Sequence, residues 1–291
     1  MKDYVIFLDA SADYVPELCT REDIRIVPMS FTAGGASHTS DGPAEGDFLR
    51  WFYNGQRKGE LTQTSQITPQ QYVDVFSPVL AEGKPILYLA LSSGLTNTVN
   101  SALVAAADLA EAFPETPLRV VDTLCATGGM GLLAERAAAY RQEGLSLEEN
   151  ALRLEADRQL LRHTFMVEDL MYLKRGGRIS AATAVAGTIL GIHPILVIDP
   201  EGRLIVVSKK RGEKQALSEM VSRYARERDP AQGDRVFIVH ADAPVRAAQL
   251  ADALRKENPG AEISTSYLCP VIGAHTGPGM CAAIYFGAPR S

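Results

Sequence analysis

An apolar run, Ile86–Leu91, empties directly into a hydroxyl-rich loop, Ser92-Ser-Gly-Leu-Thr-Asn97, and that loop opens a helical pattern over Val99–Ala112. The junction commits this part of the chain to a strand followed by a helix, with the loop at the strand's carboxyl end. It is also a ready-made anion site. Backbone N–H groups at a helix N-terminus lack an intrahelical acceptor, the helix dipole favours negative charge there, and Ser92, Ser93, Thr96 and Asn97 add side-chain donors. Capping a helix uses one such side chain. The surplus points to a bound carboxylate or phosphate.

The same alternation recurs on both sides of this unit. Strands are patterned at Tyr4–Leu8, Ile26–Met29 and Leu118–Val121, and helices ahead of Ile24, at Pro69–Leu80 and from Thr127 to Arg141. Repeated βα units predict a parallel sheet with helices on both faces. The polar, glycine-rich stretch Ala33–Gly46 reads as a loop. After about residue 160 the pattern changes: strands at Thr164–Val167, Pro194–Ile198, Leu204–Ser208, Phe237–His240 and Ile263–Tyr267 mix with short helices at Leu170–Leu173 and Ser180–Leu190. Asp199-Pro-Glu-Gly202 reads as a hairpin turn. The expected fold class is therefore α/β, with a parallel-sheet α/β domain over 1–160 and an α+β domain over 161–291.

A formal net charge of −6 argues against nucleic acid as a partner, since affinity for the phosphate backbone comes from clustered Lys and Arg. Cys19, Cys125, Cys269 and Cys281 have no C-x-x-C spacing and no histidine at a zinc-like interval, which predicts free thiols and no metal site. Tyr4–Leu8 is too short for a signal-peptide core and no run approaches a membrane span, so a cytoplasmic location is expected.

Three further segments hold more polar or conformationally special residues than a scaffold needs. In Thr62-Gln-Thr-Ser-Gln-Ile-Thr-Pro69, Thr68 and Pro69 form a helix entry, which leaves Thr64 and Ser65 to aim hydroxyls at a ligand. In Tyr172-Leu-Lys-Arg-Gly-Gly-Arg-Ile-Ser180, Lys174 and Arg175 suit the last turn of a helix, but Arg178 has no such reason. In Val271-Ile-Gly-Ala-His-Thr-Gly-Pro-Gly-Met280, His275 and Thr276 are expected on a constrained turn, where a histidine can carry a proton or donate to an anion. Thr127-Gly-Gly-Met-Gly131 is neither a dinucleotide fingerprint nor a P-loop, and its glycines read as close helix–sheet packing. Ser92-Ser-Gly94 lacks the first glycine of a nucleophile elbow.

Taken in order, Thr64-Ser-Gln66, Ser92-Ser-Gly94 with Thr96, Asp122-Thr123, Tyr172–Ser180 and Ala274-His-Thr-Gly-Pro-Gly279 resemble the DegV family over nearly the whole chain. The resemblance implies a two-domain bacterial protein that encloses a long-chain fatty acid, needs no cofactor, and presents the carboxylate to an ATP-using, dihydroxyacetone-kinase-like fatty acid kinase subunit. It places fatty-acid contacts at Thr64, Ser65, Ser92, Ser93, His275 and Thr276. It assigns partner docking or charge stabilisation to Arg178 and to Arg211 in Lys209-Lys-Arg-Gly212. Ile67 stands where the family commonly has proline.

An acyl chain needs an apolar sleeve, and the small-residue segment Ala181–Gly191 is a candidate lining. The rival reading is an autonomous hydrolase or acyltransferase with Ser93 as nucleophile, His275 as base and Asp9 or Asp122 as orienter.

Overall fold

The structure is a computed structural model that describes residues 4–14, 18, 24–42, 46–180 and 191–290. Apart from Leu18, the helix expected ahead of Ile24, all but the first residue of the one expected at Ser180–Leu190, and Cys19 lie outside the described residues.

A four-stranded parallel sheet forms in the order β2 (Ile24–Val27), β1 (Val5–Asp9), β6 (Ile86–Ala90), β7 (Leu118–Asp122). Every residue of β1 and β6 is buried, because helices cover both faces. The period of two sorts the side chains. Val5, Phe7, Ile86 and Tyr88 pack on α2 (Pro69–Ala81) and α3 (Thr98–Ala112), whereas Ile6, Leu8, Leu87 and Leu89 pack on α4 (Gly128–Gln142) and α5 (Leu147–Asp157). Thr68 and Pro69 start α2 as expected, with Thr68 and Gln71 forming a capping box.

The second sheet has six strands, ordered β10 (Leu204–Arg211), β9 (Ile192–Ile198), β8 (Leu161–Met166), β13 (Cys281–Phe286), β11 (Arg235–His240), β12 (Glu262–Tyr267). Only the β11–β12 pair is parallel. One face carries α7 (Glu213–Glu227) and α8 (Pro244–Glu257), and the other shares a core with the first sheet's α4. The α4 glycines make that second contact close. A Cβ on Gly129 would lie 2.2 Å from His163 Nε2, and one on Gly128 would lie 2.5 Å from the Phe237 ring.

The Ala33–Gly46 stretch corrects the expected loop. Residues β3 (Met29–Ala33) and β4 (Ala36–Ser40) pair as a hairpin, joined by Gly34 and Gly35 at φ +57° and +75°, and β5 (Gln63–Thr64) adds a third short strand. Ala-Ser-His-Thr-Ser is an outer strand with little to bury, so it carries no apolar signal. Pro28, with no N–H to give a ladder, divides the expected Ile26–Met29 strand between two sheets. Helix α1 (Gly46–Arg57), also unforeseen, buries Leu49, Phe52 and Tyr53 beside the hairpin.

Candidate functional site

Between the two sheets lies a cavity of about 370 Å³. Its walls are apolar side chains from both layers, among them Leu91 and Leu95 from one side and Phe165, Ile198, Ala282 and Ile284 from the other. One pole is polar, where Thr64, Ser65, Gln66, Thr96, Arg178 and His275 converge.

Short-range structure places each of these groups. Thr64 is held in β5 opposite Phe31, and the Ser65 N–H donates to the Ser30 carbonyl at 2.9 Å, so the two hydroxyls sit on a fixed backbone. Gln66 Nε2 donates to Ser101 Oγ at 2.6 Å and ties this strand end to α3. His275 stands in the last turn of a short helix, α9 (Pro270–Thr276), where a turn was expected. That helix is clamped from α1: Gln56 Nε2 donates to the Gly273 carbonyl at 3.0 Å, and Tyr53 OH to the Leu268 carbonyl at 2.8 Å. Thr276 also lines the cavity, its hydroxyl turned back toward the Ile272 carbonyl at 3.4 Å.

The His275 ring and Thr64 hydroxyl are hydrogen-bonded, Nε2 to Oγ1 at 2.8 Å. Burial, reinforced by the Arg178 guanidinium, pushes the His275 pKa down to about 4. The ring is neutral at physiological pH, so the positive charge at this pole is that of Arg178. Arg178 is half-buried and anchored by Nε donating to the Leu95 carbonyl at 3.1 Å and Nη1 to the Gly176 carbonyl.

The hydroxyl loop divides. The N–H groups of Leu95 and Thr96 both fold back onto the Ser92 carbonyl, at 3.0 and 3.2 Å, and this turn sends successive side chains in different directions. Ser92 is buried and donates from Oγ to the Gly202 carbonyl at 2.8 Å, joining the first sheet's loop to the β9–β10 turn. Neighbouring Gly94 is bare for the same contact, since a Cβ there would lie 2.6 Å from the Glu201 and Gly202 backbone. Ser93 is exposed, with its N–H on Asp122 Oδ1 at 3.1 Å. Neither serine lines the cavity; Thr96 and Asn97 do. The structure thus brings Thr64, Ser65, His275, Thr276 and Arg178 together and places Ser92 and Ser93 elsewhere. Arg211 is exposed at the end of β10.

The pieces of the serine-enzyme reading are not assembled. Asp9 is consumed by the Ser11 hydroxyl, the Tyr88 hydroxyl and the Leu91 N–H, and Asp122 by the N–H groups of Ser93 and Leu124. His275 pairs with Thr64 and not with Ser93. Among the described residues no group of three or more His, Cys, Asp or Glu is placed to hold a metal, and Cys125, Cys269 and Cys281 are buried free thiols.

Gln66, Thr127 and His163 are polar lining residues to which motif reading gives no ligand role, whereas Thr96 and Asn97 are among the donors expected of the loop after β6. The density of hydroxyls in the Ser92–Thr98 segment does not say which of its side chains meets the cavity.

The DegV family profile, described only as an uncharacterised protein family, matches residues 3–288. This chain belongs to the DegV family. A DegV domain-containing protein of Clostridium perfringens is 34% identical over 99% of this chain and 98% of its own length. A DegV family protein from Thermus thermophilus, solved as a fatty-acid-binding protein, is 29% identical, with a TM-score of 0.85 over 98% of this chain and 99% of that one. The Streptococcus pneumoniae fatty acid kinase B3 protein, solved loaded with linoleic acid, shares the fold of this DegV chain at 21% identity and a TM-score of 0.84, over 98% of this chain and 99% of its own. No helix among the described residues is long and apolar enough to cross a membrane.

Proposed function

We propose that this DegV chain encloses a long-chain fatty acid between its 1–160 and 161–291 domains and presents the carboxylate to an ATP-using, dihydroxyacetone-kinase-like partner in the cytoplasm. The observation that carries this reading is the cavity itself: an apolar sleeve closed at one pole by hydroxyls, a neutral histidine and a fixed guanidinium. Each methylene removed from water contributes roughly 0.8 kcal/mol, so the sleeve supplies affinity and the polar pole supplies orientation. The fatty-acid binding of the Thermus thermophilus relative supports it.

In this reading the carboxylate meets Thr64, Ser65, Thr96 and His275, near the Arg178 charge, and Arg211 belongs to the surface that meets the kinase. Phosphoryl transfer needs a nucleotide cradle and metal-binding acids. The chain therefore relies on its partner for them. Denaturing mass spectrometry of the purified protein should recover a co-purified long-chain fatty acid, and the chain with ATP and magnesium but no partner should form no acyl phosphate. Lipid-free protein that then fails to bind added palmitate would sink the proposal.

The division of the hydroxyl loop gives a sharper expectation. Thr64→Val removes a charge-assisted hydrogen bond and should weaken palmitate binding by about 1.5–3 kcal/mol. Ser93→Ala should stay within error of the parent. Isothermal titration of both variants checks the pair, and a loss confined to Ser93→Ala would move the carboxylate out of this pole.

A further inference from the structure

Three consecutive residues of α9 are engaged in turn by three polar side chains from outside it. Gln56 Nε2 donates to the Gly273 carbonyl at 3.0 Å, Thr62 Oγ1 donates to the Ala274 carbonyl at 3.2 Å, and Thr64 Oγ1 is bonded to the His275 ring at 2.8 Å. Carbonyls at the end of a helix lack intrahelical donors, so contacts of this kind fix how the last turn sits. The first two contacts are joined, since Gln56 Nε2 also donates to Thr62 Oγ1 at 2.9 Å. The Gly273 carbonyl can only accept, and the Thr62 hydroxyl gives its proton to Ala274. Both therefore face the nitrogen of the amide, whose orientation is forced. One amide thus ties the strand end that carries Thr64 and the helix end that carries His275 to the same point. The Gln56 main-chain carbonyl takes a third segment, accepting at 3.0 Å from Tyr172 OH on α6 (Met171–Arg175), the helix that leads to Arg178.

Gln56 is 1% exposed and does not line the cavity. Its Oε1 is buried with no hydrogen-bond partner among the described residues. A buried acceptor left unpaired costs stability, and a methionine would fill the same space without that cost. What the amide supplies and an apolar chain does not is the pair of donors.

We propose that Gln56 is a positioning residue for the ligand's carboxylate, acting through Thr62 and Gly273 to hold the Thr64 hydroxyl against the His275 ring. The inference rests on the fatty-acid reading above and adds to it the residue that sets the geometry of its polar pole. Groups that recognise a ligand together must be locked by partners of their own, because a loose pair loses the orientation on which its hydrogen bonds depend. Thr64 and His275 stand on separate elements, and the Gln56 amide is the bonded link between the two backbones on the side away from the ligand.

The test is a double-mutant cycle read by titrating palmitate into the full chain. Gln56→Met keeps the length of the side chain and removes both donors. The Gly273 carbonyl keeps the Gly277 N–H at 3.0 Å and Thr62 keeps Ala274, so the variant is expected to fold. It should weaken palmitate about tenfold in the parent and less than about twofold in a Thr64→Val background, where the contact it works through is already gone. Thr62→Val, at a half-buried position, cuts the same route and should show the same pattern at about fivefold. It carries the test if Gln56→Met does not fold. Palmitate labelled at its carboxyl carbon should show, in either single variant, a resonance moved in the direction seen with Thr64→Val. Equal losses in the two backgrounds would make the role of Gln56 merely structural and overturn the proposal, as would a folded variant that binds palmitate like the parent. A parent that binds no palmitate overturns the fatty-acid reading and the positioning role with it.

Discussion

Ala282→Phe should lower palmitate affinity on the order of 100-fold while leaving the protein folded. Ala282 lies on β13, is 1% exposed, faces the cavity, and pairs in register with Phe165, another lining residue. A benzyl group there occupies the space of roughly four methylenes, and at about 0.8 kcal/mol each the lost burial is about 3 kcal/mol. Overpacking a buried strand costs about 1–3 kcal/mol of stability, so the variant is expected to melt earlier but cooperatively. Chain length separates blockage from unfolding. Octanoate, a shorter chain that fills less of the cavity, should lose much less affinity than palmitate. A folded Ala282→Phe protein that takes palmitate like the parent would mean that the tail lies outside this cavity.

The parts of the fold that were legible in the sequence are those whose side chains all face one kind of environment. β1 and β6 are buried on both faces and read as unbroken apolar runs, and the hydroxyl loop after β6 announces itself by density. β13 is as apolar as either and sits at the centre of its sheet, yet Cys-Ala-Ala-Ile-Tyr-Phe follows a Gly-Pro-Gly bend with no helix to bracket it, so nothing local marks it as a strand. α1, α5, α7 and α8 are amphipathic with many charges, and spacing alone does not mark them, because their apolar positions become a face only once the sheets exist to cover. The site shows the same limit. Thr64, Arg178 and His275 stand far apart in sequence, and only resemblance to a family joined them. Ser93 and Thr96 are both hydroxyls in one loop, and which of them meets the cavity depends on the turn closed on the Ser92 carbonyl, a hydrogen-bonding choice that residue types alone do not encode.

The helix that carries His275 is also tied to a buried acid, and that acid should make the protein's stability fall as pH rises. Asp13 accepts the Cys269 N–H on Oδ1 at 2.9 Å at the start of α9, and its burial pushes the carboxyl pKa up to about 8. In the unfolded chain the same group titrates near 4. Between those values the folded state keeps a proton that the unfolded state has released, so stability drops with pH by at most about 1.4 kcal/mol per unit. The buried histidines act in the opposite sense. His163 and His275 are pushed down to about 3 and about 4, so the unfolded state gains protons that the folded state refuses as pH falls below the usual histidine value of about 6.5. Their contribution is whole above that value and is lost on acidification, and His193 and His240, also lowered by burial, share its sign. From about pH 6.5 to 8 the histidines add little slope. The buried thiols Cys125, Cys269 and Cys281, raised by burial, add a loss of the acid's sign only as unfolded thiols ionise near about 8.5. All of these groups are present in parent and Asp13 variant, so the comparison isolates the acid. Asp13→Asn retains an oxygen for the Cys269 N–H and cannot ionise; its urea-unfolding free energy should be flatter across this window than the parent's, by about 2 kcal/mol at most. Asp9, likewise raised by burial, remains in both proteins and cancels in the comparison. Parallel curves for parent and variant would show that Asp13 is already ionised in the folded protein, with the anchoring of the His275 helix resting on a charged carboxylate instead of a neutral one.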